Sequence, residues 1–271
     1  MAFDSVDSLI AGFQPPAFFG RQVTPATLGP LRVFGGTFSG SSIPGTGGGF
    51  SPGTAGEPMI GPALPGFLMK SNPPSGKEAR LAKFAGFSSS SGMLWLVDRL
   101  WQNSGLAGSF TSTALTMSGG GIPARDDNGT TDGLGVLCGI EAQTSVGAGV
   151  PTTTLTYTNS DGTSGRTSTI TIPGASAAAG TIDLFPLASG DKGIRSVENI
   201  AQSSTRTSGT LGLVLYRVLA VLDLQSAIPA SIDAISSGLP RIYDDSCLQL
   251  FWNPQSTSAQ TYYGSIAEVW G

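Results

Sequence analysis

Residues 20–76 constrain this 271-residue chain more than any other stretch, because glycine and proline crowd them. Pro44–Gly49 and Asn72–Gly76 are typical runs. Proline has no backbone N–H to donate to a helix or a sheet, and glycine loses the most conformational entropy when it is fixed. We therefore expect residues 20–76 to be extended and unable to build a packed core of their own.

Large apolar side chains interrupt the same segment, and the largest include Phe34, Phe38, Phe50 and Phe67. A flexible tether has no use for such side chains, since they cost free energy in water. The pattern predicts an arm that docks these four residues into grooves on a neighbouring subunit or on another part of the fold. Long irregular loops that cover their own domain are the alternative.

Three segments are predicted along the chain. Ser5–Phe13 places apolar side chains at helical spacing behind a polar cap, so residues 1–19 are expected to hold a short amphipathic helix that the following prolines end. Residues 20–92 form the extended glycine- and proline-rich arm, within which Glu78–Phe87 is a short helix or an ordered loop. Residues 93–271 form the main domain.

Patterns typical of β-strands dominate this main domain. Thr152–Asn159 and Arg166–Ile172 are strand-like runs separated by strong turn residues, which predicts a hairpin. Roughly eight to ten such runs, with short turns and no βαβ spacing, predict an all-β fold, an antiparallel β-sandwich of the jelly-roll type. Within this domain, Ser231–Ser237 is the segment predicted to be a short helix.

Composition narrows the choice of partners. Only 12% of the residues are charged, and the formal net charge is −4. Four lysines do not make a basic stripe, so nucleic-acid binding is not expected. Low charge beside 39% hydrophobic residues favours a surface that partners cover, and therefore a homo-oligomer or a larger assembly.

No membrane segment is predicted. Leu211–Leu224 is the most apolar run, but it is too short to span a bilayer and Arg217 lies in its middle. The first residues carry acid where a signal peptide carries base, and no long apolar region follows them. We therefore expect a chain that works without a membrane.

The residues of most catalytic chemistry are missing. The chain has no histidine, which removes Ser–His and Cys–His catalysis and histidine-ligated zinc. Its glycine runs lack the ending of a phosphate-binding loop. No enzyme is predicted, and no catalytic, cofactor-binding or metal-binding residues. Cys138 and Cys247 lie in apolar strand-like runs, which favours buried free thiols, although their spacing leaves a disulfide open.

The loop Arg125–Gly133 holds oxygen ligands of the kind that calcium prefers, in Asp126, Asn128 and Asp132. The spacing does not match an EF-hand, and no glutamate closes the loop. Aspartate and asparagine before glycine are also ordinary turn residues, because their side chains bind their own backbone. A loop that satisfies itself, without calcium, is the favoured interpretation.

Several stretches together resemble a family of tailed-bacteriophage virion proteins. They are Asp7–Ala11, Leu96–Leu106, Ile122–Gly129, Leu155–Asn159, Gly190–Val197 and Gly238–Asp244, in order over nearly the whole chain. The resemblance implies a non-enzymatic head component, often encoded near the major capsid protein. It leaves open whether such a component is a decoration (cement) protein, a minor capsid protein or a connector, and it brings no active site.

The leading hypothesis is therefore a capsid-associated structural protein of the virion, assembled in the host cytoplasm, with the major capsid protein or neighbouring virion subunits as partners. The alternative is a receptor- or glycan-binding β-sandwich on a tail or fibre. Tryptophans stack on sugars, but Trp95, Trp101, Trp252 and Trp270 lie in apolar strand-like runs, which favours core or interface packing. A polysaccharide-degrading enzyme is the weakest hypothesis, because no sequence pattern identifies two Asp or Glu residues as a catalytic pair.

Overall fold

A computed structural model of the chain describes residues 5–23, 28, 32–34, 53–60, 72–172 and 177–271. The helix α1 spans Val6–Gly12. The strands are β1 (Ala17–Val23), β2 (Arg32–Phe34), β3 (Glu57–Pro58), β4 (Ala79–Ser88), β5 (Gly92–Gln102), β6 (Leu106–Ala107), β7 (Ser112–Ala114), β8 (Val136–Ala142), β9 (Thr152–Asn159), β10 (Arg166–Thr171), β11 (Thr181–Phe185), β12 (Ile194–Gln202), β13 (Thr210–Leu224), β14 (Ala230–Ile232), β15 (Arg241–Ile242), β16 (Leu248–Pro254) and β17 (Gln260–Trp270).

The predicted N-terminal helix is confirmed. The Ser5 hydroxyl caps it by accepting a hydrogen bond from the backbone N–H of Ser8. In return, the Ser8 hydroxyl accepts a hydrogen bond from the backbone N–H of Ser5. This reciprocal cap satisfies N–H groups that the first turn leaves free. The helix ends against β17, where a Cβ on Gly12 would meet the backbone oxygen of Trp270 at 2.3 Å. Only glycine allows so close an approach.

Six antiparallel strands form a closed ring at the centre of the molecule, in the order β5–β16–β2–β11–β8–β13. The pairing of β13 with β5 closes it, and β3 and β6 extend β5 and β13. Inward-facing side chains fill the ring, among them Val97, Val214, Tyr216 and Phe251. We call this set the interior core.

Two further antiparallel sheets pack on the outside of the ring. The threonine-rich sheet has the order β10–β9–β12–β7, and the terminal sheet has the order β1–β17–β4–β14, with β15 also paired to β4. One large core joins the ring to the threonine-rich sheet through residues such as Leu155, Ile200 and Leu213. A second core joins the ring to the terminal sheet through Phe84, Trp252 and others.

The expectation of an all-β, antiparallel, sandwich-like fold with one short N-terminal helix is confirmed. Two local predictions are wrong. Glu78–Phe87 is not a helix or a loop but most of β4, because it packs against the neighbouring β17 with a buried inner face. Ser231–Ser237 is not a helix, since it begins in β14 and continues as a turn around Asp233, whose carboxylate accepts from the N–H of Ser236.

The expected boundary between an arm and a sandwich at residues 92 and 93 does not separate the sheets. β1 pairs with β17, β4 pairs with β17, and β2 lies between β11 and β16. The described parts of residues 20–92 therefore belong to the same layers as residues 93–271. Among the described residues, no helix has the length and apolar character needed to cross a membrane.

We expect Phe251→Ala to lower the free energy of unfolding by about 3–5 kcal/mol, because it leaves a cavity inside the ring. Phe251 is buried and packs edge-on against Tyr216, with ring centroids 5.0 Å apart. Ile235→Ala, in an exposed turn, is the control and should change the free energy of unfolding by under about 0.5 kcal/mol. Urea unfolding midpoints measure both, and equal losses would contradict the packed ring.

Candidate assembly surface

Strand pairing defines the outer face of the terminal sheet. Directly paired residues of antiparallel strands lie on the same face. Tyr263 of β17 pairs with Phe87 of β4 on one side and with Gly20 of β1 on the other. Phe18 pairs with Ser265, two residues along the same face. Three aromatic residues from three adjacent strands therefore share one surface.

This surface is open to solvent, with exposed fractions of 66% for Phe18, 54% for Tyr263 and 37% for Phe87. We call these three residues the aromatic face. A Cβ on Gly20 would meet the Tyr263 ring at 2.7 Å, so the ring lies over that glycine and fills the space between its neighbours. Large apolar groups gathered in this way on the surface of a soluble protein mark interaction sites.

The aromatic face carries little charge. The strand pairing also places Gln22, Thr261, Ser265, Ala267, Lys83, Ala85 and Ser231 on it. Lys83 is the one charged residue in that set. A partner can therefore cover the face with almost no cost for removing charges from water, which is the composition found at the centre of protein interfaces.

The N-terminal helix adds a second apolar strip beside the same sheet. Val6, Ile10 and Phe13 are exposed and follow helical spacing. The chain after the helix joins the sheet, because Phe13 bridges to Val269 and the N–H of Gln14 donates to the Glu268 oxygen at 2.9 Å. The apolar stripe of the helix thus faces outward rather than into the core of its own chain.

Of the four phenylalanines that are predicted to bind partners, the structure describes one. Phe34 lies in β2, opposite Trp252 of β16, and is buried in the core between the ring and the terminal sheet. Its own chain covers it, so Phe34 docks on another part of the fold, which is one of the two placements that the sequence leaves open. Phe38, Phe50 and Phe67 lie outside the described residues, so their role stays a prediction.

Sequence reasoning missed the aromatic face, although a local signal exists. Phe18-Phe19 and Tyr262-Tyr263 are aromatic pairs within strands, and successive strand residues point to opposite faces. One ring of each pair must then be buried and the other exposed. The structure shows this arrangement, with Phe19 and Tyr262 buried in the core beneath Phe18 and Tyr263.

Asp98, Arg125 and Arg217 form a buried charged cluster. The carboxylate of Asp98 lies 3.2 Å from Nε of Arg125 and 3.7 Å from Nη2 of Arg217, and it also accepts from the Ser246 hydroxyl and the Cys247 N–H. All three charged side chains are almost fully buried. These contacts tie the loops that carry Arg125 and Ser246 to strands β5 and β13.

The Arg125–Gly133 loop turns its first carboxylate inward. Asp126 accepts hydrogen bonds from the N–H groups of Asn128, Thr130, Gly133 and Leu134 and from the Thr130 hydroxyl, at 2.6–3.2 Å. This is the self-satisfied turn that the sequence favours. Across the described part of the chain, no group of three or more acidic or cysteine side chains is placed to hold a metal ion.

The tryptophans are buried or half-buried, and both cysteines are buried. Trp101 and Trp252 are fully buried, and Trp95 and Trp270 are half-buried. Cys138 and Cys247 are both buried and both free, as the sequence favours. Burial raises the pKa of the Cys247 thiol to about 12, and it raises the pKa of Cys138 further.

Comparison with known proteins identifies no family. No protein family matches the chain, and no curated protein matches it. Among solved structures, the VP2 subviral particle of infectious bursal disease virus aligns over 97% of this chain and 81% of that chain, with 10% identity and a TM-score of 0.20. The Gx strain of the same virus aligns over 95% and 80%, with 10% identity and a TM-score of 0.23. Similarities this low assign neither fold nor function.

We expect Asp98→Asn to lower the free energy of unfolding by about 3–5 kcal/mol, because Arg217 then loses the described carboxylate that lies within ion-pair distance of its buried charge. Asp132→Asn is the control. Its partner Arg195 lies 2.7 Å away on the surface, and such exposed pairs contribute about 0–1 kcal/mol. Urea titrations of the two variants should differ widely, and overlapping curves would show that the cluster is not needed.

We expect neither cysteine to react with a thiol reagent in the folded protein at pH 8. The thiolate is the reactive form, and burial with a raised pKa keeps both thiols protonated. Unfolding in urea should release two reactive thiols. Fast labelling of one cysteine in the native protein, read by mass spectrometry, would contradict the buried placement.

Proposed function

We propose that this chain is a non-enzymatic structural component of a tailed-phage virion, a capsid-associated decoration or minor head protein that binds neighbouring subunits. The aromatic face is the observation that carries the proposal. It is an apolar, nearly uncharged surface on a rigid sheet, and the fold does not need it for its own core.

Covering the aromatic face releases free energy at about 25 cal/mol for each Å² of apolar area removed from water. Aromatic anchors dominate binding energy at interfaces, and rigid strands present them without loss of conformational entropy. The outward stripe of α1 extends the apolar area beside the same sheet. Both features suit a permanent contact within an assembly better than a transient one.

The arm supplies the second part of the proposal. Phe38, Phe50 and Phe67 lie in glycine- and proline-rich sequence and are proposed to enter grooves on a neighbouring virion subunit, either the major capsid protein or another copy in a homo-oligomer. Such backbone gains little from its own hydrogen bonds, so contact with a partner must offset its ordering. β2 anchors the segment, since it is built into the ring on both sides.

The proposed location is the outer side of the capsid. The chain has a net charge of −4 and only four lysines, so packaged DNA would repel it. The glycan-binding alternative has less support, because Trp101 and Trp252 are buried in the core and do not offer sugar-stacking surfaces.

The test is assembly of the double variant Phe18→Ser, Tyr263→Ser. We expect it to melt like the wild type but to bind capsid shells at least tenfold more weakly, because two anchors of the interface are lost. Sedimentation velocity of the free protein and co-sedimentation with purified shells measure the effect. Ile235→Ser, which changes an exposed apolar residue in the turn after β14, is the matched control and should bind normally.

A triple variant with serine at Phe38, Phe50 and Phe67 tests the arm separately. We expect it to fold and to lose shell binding or oligomer formation. If both variants bind with full occupancy, the assembly function is wrong. If only the triple variant binds normally, the aromatic face is the interface and the arm is not. Retention on a glycan array that is lost with Tyr263→Ser would favour the alternative function.

A further inference from the structure

Arg206 is a buried cation in the segment between β12 and β13. Its side chain is only 2% exposed, and its backbone N–H donates to the Gly108 oxygen at 3.0 Å. A Cβ on Gly149 would lie 3.2–3.3 Å from Cα and Cγ of Arg206, so that loop closes over the stem of the side chain. Within the described part of the chain, Nε and Nη1 of its guanidinium have no hydrogen-bond partner.

Asp183, the carboxylate whose charge acts on Arg206, is already paired with another arginine. Asp183 interacts with Arg206 at longer range, but both of its oxygens bind Arg32, at 2.7 and 2.8 Å. Asp183 is therefore committed to Arg32, and its charge offsets that of Arg206 only from a distance. Burial lowers the pKa of Arg206, and the positive charge of Arg32 lowers it further, whereas Asp183 raises it.

The carboxylates of the described residues provide no counter-ion for Arg206. No described carboxylate lies within ion-pair distance of Arg206, and Asp4 is the one acidic residue outside the described part. A buried guanidinium stays protonated, and leaving its charge unneutralised is strongly unfavourable.

Unused hydrogen-bond donors lie at the same end of that sheet. Gln202, the last residue of β12, pairs directly with Thr153 of β9. Both are buried, and the amide of Gln202 and the hydroxyl of Thr153 have no partner among the described residues. Buried polar atoms without partners are rare and point to a missing ligand or water.

We propose that Arg206 anchors an internal site for a small inorganic anion such as chloride, and that Gln202 and Thr153 lie beside it as further donors. A monovalent anion balances the one excess charge of the Arg32–Asp183–Arg206 group. The enclosed position of Arg206 favours a single compact ion over a larger ligand.

The test compares melting temperatures in sodium chloride and in sodium gluconate at matched ionic strength. An anion that binds the folded state stabilises it by RT ln(1 + [L]/Kd), so the wild type should melt several degrees higher in chloride. Arg206→Met, which removes the buried charge and keeps an apolar side chain, should melt at one temperature in both salts. Without chloride, this variant should be at least as stable as the wild type.

Arg195→Gln is the control, because it removes a surface arginine that already pairs with Asp132, and it should keep the full chloride response. A crystal soaked in bromide should show an anomalous peak beside the Arg206 guanidinium. If Arg206→Met does not fold, the melting of the wild type in the two salts and the bromide peak still test whether an anion binds at Arg206. Equal melting of the wild type in both salts, or the absence of a bromide peak at Arg206, would overturn the proposal.

Discussion

Closure of the ring by β13 and β5 is the constraint on which the other layers depend. β13 is 15 residues long and pairs with β8 on one side and β5 on the other. Its outward side chains serve both outer cores, since Leu211, Leu213 and Leu215 pack beneath the threonine-rich sheet and Leu219, Ala220, Leu222 and Leu224 pack beneath the terminal sheet. Burial on both faces explains why this strand is an unbroken apolar run that resembles a short membrane segment in the sequence.

Buried charges fix how the strands and loops meet around this ring. Asp98 and Arg99 are neighbours in β5 that make separate sets of contacts. Asp98 is paired with Arg125 and Arg217, whereas Arg99 pairs with Glu141 of β8 and donates to Gln249 of β16 at 3.1 Å. Buried ion pairs add little net stability, but a shifted register would leave these charges unpaired. Their main effect is therefore to exclude other pairings.

Sequence reasoning succeeded where structure is local and failed where a distant partner decides it. The capped helix and the hairpin of β9 and β10 follow from neighbouring residues. β4 was missed because its small residues weaken the alternation of apolar and polar side chains, and because a bulge opposite Ala267 and Glu268 shifts its register. β2 was missed because three residues become a strand only between β11 and β16. Arg32 in β2 binds residues 151 and 221 positions away, which no local pattern encodes.

The aromatic face shows how far a site can be predicted from such a sequence. Each aromatic pair requires one inner and one outer ring, but only the register of β1, β17 and β4 brings Phe18, Tyr263 and Phe87 together. The inner rings Phe19 and Tyr262 already complete the core. Phe18 and Tyr263 keep most of their surface in water, where apolar area is unfavourable. Their exposed apolar area adds nothing to the core of their own chain, and it would gain free energy only when another surface covers it, as the proposed assembly requires.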